Sequence, residues 1–173
     1  MPTIRNDFFK LGDHFATIIG DDVKVGDKAP EFTSVVPGWG SVNPLQESRG
    51  KVIILCAVPS IDTETCDIET RRFNQEAATF GERVVVATVS VDLPFAQKEW
   101  CAAKGVERVL MFSDHYDMAF GDAYGTHIKE LRVEQRAVFI VDEQDVVRYV
   151  EYVPEIAQHP NYEAALTALR ELL

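Results

Sequence analysis
The stretch Pro59-Ser-Ile-Asp-Thr-Glu-Thr-Cys66 carries the residue types that nucleophilic chemistry uses. It follows an apolar run, Val52–Val58, and precedes a helix-like run that starts at Asp67. The pattern predicts a buried strand ending near Pro59, a turn, and Cys66 in or just before the first turn of a helix. Backbone N–H groups at such a terminus lack intrahelical partners and favour negative charge. A thiol placed there ionises more readily than a free one, and the thiolate is the nucleophile. This placement supports reactivity without naming a reaction, and a buried inert cysteine is the competing reading.

The other candidates are fewer. Cys56 lies inside the apolar strand and reads as a core thiol. Cys101 lies in a helical stretch, where by itself it is a partly buried helix residue. Three cysteines are too few for a disulfide scaffold, and neither a Cys-x-x-Cys pair nor tetrahedral zinc spacing is present. In a reducing compartment any disulfide here is transient and catalytic rather than structural. His14, His115, His127 and His159 are scattered, with no pair at helix-face metal spacing. No metal or cofactor is expected.

Composition narrows the class. With 46% apolar and 26% charged residues, the 173-residue chain reads as one ordinary soluble domain, 1–173. The net charge of −11, from 17 basic and 28 acidic residues, argues against nucleic acid. No apolar run approaches the roughly 18–20 residues that span a bilayer. The first residues show neither an apolar signal core nor a small-residue cleavage site, so a cytoplasmic protein is expected.

The elements that must position Cys66 follow from periodicity. Residues 1–14 give little pattern and are expected to be poorly ordered. Phe15–Ile19 and Val23–Val25, joined by Gly20-Asp21-Asp22, read as an N-terminal β-hairpin. Glu31–Val36 reads as a short strand. Cys66–Phe80 reads as a helix with Ile68, Arg72, Phe73, Ala77 and Phe80 on one face and Gly81 as its stop. Val84–Val91 is a central strand. Pro94 opens a helix over Phe95–Lys104 that Gly105 ends. Val109–Phe112 is a strand and Met118–Tyr124 a short helix. Ala137–Asp142 and Val146–Val153 form a hairpin, and Asn161 caps a last helix running to Leu173. The class is α/β. A βαβ unit joined to a ββα unit, with one helix inserted between them, is the thioredoxin-like arrangement: a central mixed sheet flanked by helices. Its carboxyl edge is where Cys66 falls, and sites in open α/β sheets collect there.

Pro59-x-x-x-Thr63-x-x-Cys66 resembles the signature of the peroxiredoxins, and Pro59-Ser-Ile-Asp-Thr63 resembles their thiol peroxidase branch, the atypical two-cysteine enzymes. The likeness extends through Lys24–Pro30, Thr70-Arg71-Arg72-Phe73-Asn74, Val91–Gln97 leading to Trp100-Cys101, Ile128–Leu131, Arg136-Ala137-Val138-Phe139 and Glu151-Tyr152-Val153.

The resemblance implies roles. Cys66 would be the peroxidatic thiolate, attacking a hydroperoxide and becoming a sulfenic acid. Thr63 would hydrogen-bond the thiolate and the peroxide, a role compatible with capping the helix. Pro59 would shield the pocket from water. Arg136 would hold the thiolate anionic and polarise the peroxide. Cys101 would be the resolving thiol, forming a disulfide with Cys66 that thioredoxin reduces. A disulfide needs Cα atoms within about 7 Å, so if the folded site holds the two cysteines further apart, the first turn of the Cys66 helix and the start of Phe95–Lys104 are expected to unfold on oxidation. A homodimer is implied, through a surface near the active-site loop that includes Tyr116, Met118 and Phe120. In one departure from the family pattern, Val133-Glu134-Gln135 carries a charge where relatives are more apolar, and Glu134 would compete for Arg136. Two rival readings remain open at this point: a redox sensor that passes oxidation to a partner, and an interaction domain with inert thiols.

Overall fold
A computed structural model describes residues 1–173. The central feature is a seven-stranded sheet. In chain order its strands are β3 (Ser34–Val35), β4 (Ser41–Val42), β5 (Val52–Ala57), β6 (Val84–Ser90), β7 (Val109–Ser113), β10 (Ala137–Val141) and β11 (Val147–Tyr152). Across the sheet the order is β11-β10-β5-β6-β7-β3-β4. A smaller sheet, in the order β1-β2-β8-β9, joins β1 (Ile4–Leu11), β2 (His14–Ile19), β8 (His127–Ile128) and β9 (Val133–Glu134). The helices are α1 (Pro44–Glu47), α2 (Glu64–Phe80), α3 (Pro94–Lys104), α4 (Ala119–Tyr124) and α5 (Tyr162–Arg170). No helix is long and apolar enough to cross a membrane.

Strands β5, β6 and β7 are parallel, joined through crossovers containing α2 and α3, while β10 runs antiparallel to both β5 and β11. This is the thioredoxin-like mixed sheet that the element order predicts. The period-2 alternation of a strand sorts its side chains between two cores. Val52, Ile54 and Cys56 of β5 join Phe73 and Ala77 of α2, Trp100 of α3 and Leu166 and Leu169 of α5. Ile53, Leu55 and Ala57 face the other way, toward Leu45, Phe120, Tyr124 and Phe139. With both faces covered, every residue of β5 is buried, so its carboxyl end is a rigid base for the loop that carries Pro59 and Thr63.

The N-terminal hairpin exists, but not where the sequence pattern puts it. Its arms are β1 and β2, and Leu11 pairs with His14 across the Gly12-Asp13 turn. Residues 4–11, expected to be poorly ordered, therefore form a strand. Phe15–Ile19 belongs to the second arm, and Val23–Val25 is not a strand. The hairpin turn is made by Gly12-Asp13, the first of four Gly-Asp pairs in the chain, with Gly12 at φ 60°. Gly20 serves a different need. At φ 98°, it lets the backbone pass the end of α4, where a Cβ would stand 2.9 Å from the Gly125 Cα. The strand expected over Glu31–Val36 shrinks to two residues, and the last helix ends at Arg170 rather than Leu173.

Helix α2 is also rotated from its expected face. Its buried stripe is Cys66, Glu69, Thr70, Phe73 and Ala77, while Ile68 is 40% exposed. Two of those inward residues are polar, so a reading from apolar periodicity turns the helix away from them.

Candidate active site
The loop from Pro59 to Thr63 connects β5 to α2. Thr63 has extended backbone geometry (φ −86°, ψ 152°), and its Oγ1 accepts the Cys66 N–H at 3.4 Å, which makes it the helix N-cap. The same hydroxyl donates to Cys66 Sγ at 2.7 Å. The capping role and the thiol-binding role therefore belong to one oxygen. Glu64 and Asp67 add negative charge to the first turn, which suits the helix dipole.

Arg136 lies between β9 and β10, and its side chain is almost completely buried. Its Nη2–H donates to Cys66 Sγ at 3.3 Å and to the Ile156 carbonyl at 3.1 Å. Its Nη1–H donates to Glu69 Oε2 at 2.6 Å. Two donors, one of them cationic, thus converge on the Cys66 sulfur. Burial works against the Arg136 charge, but Glu69 and Cys66 outweigh it and hold the guanidinium above its ordinary value.

Glu69 was not singled out in the sequence. Three positions after Cys66, it lies on the same helical face, and that spacing is the signal that could have found it. Burial raises its carboxyl to about 7 against the pull of Arg136. Sulfur, guanidinium and carboxyl form one buried row, Cys66–Arg136–Glu69.

The row meets solvent at a pocket of about 340 Å3 lined by Pro59, Thr63, Glu64, Thr65, Arg136, Ile156 and Ala157. Cys66 itself has no exposed surface, but the two residues that bond its sulfur both line this pocket. Pro59 is buried at the pocket edge. Lacking an N–H, it adds no donor there.

Cys101 is half-buried on α3 and packs against the core cluster that contains Cys66 and Cys56. Burial raises its thiol above the ordinary value. Lys104 Nζ, one turn after Cys101's position, reaches Asp67 Oδ1 at 3.4 Å and ties the end of α3 to the first turn of α2. All three cysteines are free thiols. The Cys56 thiol is pushed well above its ordinary value by burial and then by Glu69, with Arg136 opposing. That matches its reading as a core thiol. No three His, Cys, Asp or Glu side chains are grouped to hold a metal ion.

Two expectations need correcting. Glu134 does not reach Arg136. It is buried on the other side, where it accepts from the Thr126 hydroxyl. Burial, then the neighbouring Asp114, holds it well above the usual carboxyl range. Asp114 in turn accepts the Phe120 and Gly121 N–H groups at 3.0 and 2.9 Å. The partner of Arg136 is Glu69. The surface proposed for dimer contact also loses two members. Met118 and Phe120 belong to the interior, whereas Tyr116 is 78% exposed.

A thioredoxin-like sheet that sets a thiol at the N-terminus of a helix, beside a buried arginine, defines a thiol-redox class of protein. Within that class, the chain belongs to the Redoxin family, which matches residues 24–166. It is similar to the thiol peroxidase of Halalkalibacterium halodurans, with 53% identity over 91% of this chain and 93% of that protein. The thiol peroxidase of Bacillus subtilis is 51% identical over the same shares. Among solved structures, a peroxiredoxin-like protein from Aquifex aeolicus superposes with a TM-score of 0.85 at 35% identity, covering 99% of both chains. These relatives agree with the thiol peroxidase resemblance carried by Pro59, Thr63 and Cys66.

Proposed function
We propose that the protein is a peroxidase that reduces hydrogen peroxide and organic hydroperoxides with its own thiols. The observation that carries this reading is the convergence of Thr63 Oγ1–H and Arg136 Nη2–H on Cys66 Sγ at the floor of a solvent-open pocket. The Cys66 thiolate attacks the nearer peroxide oxygen. The O–O bond breaks, the leaving alkoxide or hydroxide takes a proton to become alcohol or water, and Cys66 becomes a sulfenic acid. Arg136 stabilises the negative charge that passes from sulfur to oxygen, and Thr63 orients the incoming peroxide. The Cys101 thiol then attacks the sulfenic sulfur. An S–S bond forms, the S–O bond breaks, and the hydroxide leaves with the Cys101 proton as water. Thioredoxin reduces the disulfide by dithiol exchange in a cytoplasmic setting.

In this reading the first turn of α2 opens for the second step, bringing out a sulfur that the closed form holds without exposed surface. Homodimerisation would use Tyr116 with the exposed apolar neighbours Trp39, Leu93 and Phe95. Of these, Trp39 and Phe95 already form an edge-on pair at 5.1 Å.

The test is peroxide-dependent NADPH oxidation coupled through thioredoxin reductase and thioredoxin. Wild type should turn over, Cys66→Ser should be inactive, and Cys101→Ser should consume one equivalent of peroxide and then stall. Full activity in Cys66→Ser would end the proposal. Fast Cys66 oxidation with negligible thioredoxin turnover would favour a redox relay instead.

A further inference from the structure
The two cysteine-bearing helices begin from loops that one carboxyl group fastens together. Asp92 lies in the bend between β6 and α3. Its Oδ2 accepts the backbone N–H of Ile61 at 2.9 Å, and its Oδ1 accepts the Ser60 hydroxyl at 3.0 Å. Ser60 and Ile61 belong to the loop that leads into α2, so a residue two positions before the Cys101 helix holds the approach to the Cys66 helix.

The fastening continues in both directions. Asp92 Oδ2 also accepts the Ser90 hydroxyl at 2.6 Å, and the Asp92 carbonyl accepts the Ser113 hydroxyl at 2.5 Å. Ser90 Oγ accepts from Gln97 Nε2 at 2.9 Å, and the same amide donates to the Phe112 carbonyl at 3.0 Å. Gln97 sits one helical turn before Cys101 on α3, and Ser90, Gln97 and Ser113 are all buried. On the other side, the Ser60 carbonyl lies 3.3 Å from Thr63 Oγ1, the hydroxyl that donates to Cys66 Sγ. Hydrogen bonds therefore run from the Asp92 carboxylate to the resolving helix on one side, and on the other Asp92 holds the backbone two residues before Thr63, the residue whose hydroxyl donates to the peroxidatic sulfur. Each neighbour in the chain has a defined partner, so the network favours one arrangement of the loop.

We propose that Asp92 is a positioning residue that latches the Ser60–Ile61 loop against the start of α3 and so sets how readily Cys66 leaves its pocket to meet Cys101. This rests on the peroxidase reading above and names the group that regulates its second step. The latch favours the arrangement that reacts with peroxide and opposes the opening that disulfide formation requires. Weakening it should leave oxidation of Cys66 nearly unchanged while speeding its resolution. A pocket of about 280 Å3 beside the latch, lined by Ile61, Asp62, Asp92, Ala96, Glu99 and Trp100, offers the loop room to move.

The test mixes hydrogen peroxide rapidly with reduced wild type, Asp92→Asn and Ser60→Ala. Tryptophan fluorescence follows the first step, and quenched-flow thiol counting follows the second. In Asp92→Asn the disulfide-forming rate should rise about 10-fold, the worth of a lost hydrogen bond to a charged acceptor, with oxidation by peroxide changed less than about 3-fold. Ser60→Ala, which loses only one arm of the latch, should show an increase of about 3-fold. The peroxide concentration that inactivates by over-oxidation should rise in the same order. Equal disulfide rates in the three proteins, or disulfide and oxidation rates that fall in step, overturn the latch. If Asp92→Asn does not fold, Ser60→Ala decides, together with hydrogen exchange at the Ile61 amide of wild type. Faster Ile61 exchange after oxidation supports the latch, and unchanged exchange overturns it. If wild type fails to consume peroxide, it is the peroxidase reading that falls, and the same rate comparison with diamide as oxidant still decides the latch.

Discussion

Arg136 Nη1 stands 2.6 Å from Glu69 Oε2, while Nη2 of the same guanidinium reaches Cys66 Sγ at 3.3 Å. One cation thus serves the Glu69 carboxyl and the Cys66 sulfur at once. The planar fork makes this possible, since it presents two terminal nitrogens in fixed relative positions. A lysine at 136 has a single charged head and cannot span both. Arg136→Lys should therefore lower the second-order rate of peroxide reaction about 100-fold, as loss of one preorganised donor does elsewhere. Arg136→Met should cost about 3 kcal/mol of stability as well, because it leaves the Glu69 carboxyl buried without its cation. Stopped-flow oxidation and urea unfolding measure the two effects separately. A lysine variant as fast as wild type would remove the role of the fork.

Stability should fall as pH rises through the neutral range. The Glu69 carboxyl is raised by burial from 4.5 to about 7, so between these values the native state keeps a proton that the unfolded chain has released. The contribution is complete below about 4.5 and is lost as pH rises through about 7. The shift corresponds to about 3 kcal/mol over the whole window. Glu134 and Asp114, both raised by burial, act with the same sign. The Glu69 share is therefore read as a difference. Urea unfolding of Glu69→Gln should show a smaller decline from pH 5 to pH 8 than wild type, and parallel declines would contradict the assignment.

The Thr63 hydroxyl both caps α2 and donates to the sulfur. Thr63→Val keeps the shape and loses both bonds. It should cost about 1 kcal/mol of stability, and slow peroxide reduction about 10-fold or more from loss of the donor. Thr63→Ser retains the oxygen and should recover most of both. Recovery of stability without recovery of rate would separate the cap from the chemistry.

Glu134 was expected to draw on Arg136, yet it bonds Thr126 and lies against Asp114. Glu134→Gln should accordingly leave the peroxide rate within about 2-fold of wild type, since a surviving hydrogen bond keeps the local structure. Its effect should appear instead as a shallower pH dependence of stability. A rise of 10-fold in rate would restore the competition with Arg136. Fluorescence-monitored oxidation together with unfolding at two pH values measures both.

Much of the site was legible along the chain. The apolar run of β5, the turn at Pro59 and the polar helix start place Cys66 at an α2 N-terminus by local rules alone, and Thr63 stands at capping distance in the same segment. Gly81 and Gly105 end their helices for equally local reasons, because positive φ is cheap only for glycine. Arg136 was reached only through family likeness, and nothing in its local sequence separates it from a surface arginine. Glu69 is not legible from periodicity, because a buried stripe that contains carboxyl and hydroxyl groups lacks the apolar pattern of a buried face.

The principal strands and helices around the thiol, and its place at the start of one of them, follow from interactions within a few residues and can be read along the chain. Tertiary structure alone decided which side chains share the thiol's environment. The contacts of Arg136 with Glu69 and Cys66 cross 67 and 70 positions, and the Asp92 bond to Ile61 crosses 31. Such pairs form only when β10, β5 and β6 lie side by side in one register, with α2 and α3 packed on the same face. The Gly12-Asp13 and Gly20-Asp21 pairs show the same division. Local preference allows a turn at either, and the close passage of Gly20 against Gly125 left Gly12-Asp13 to make the hairpin.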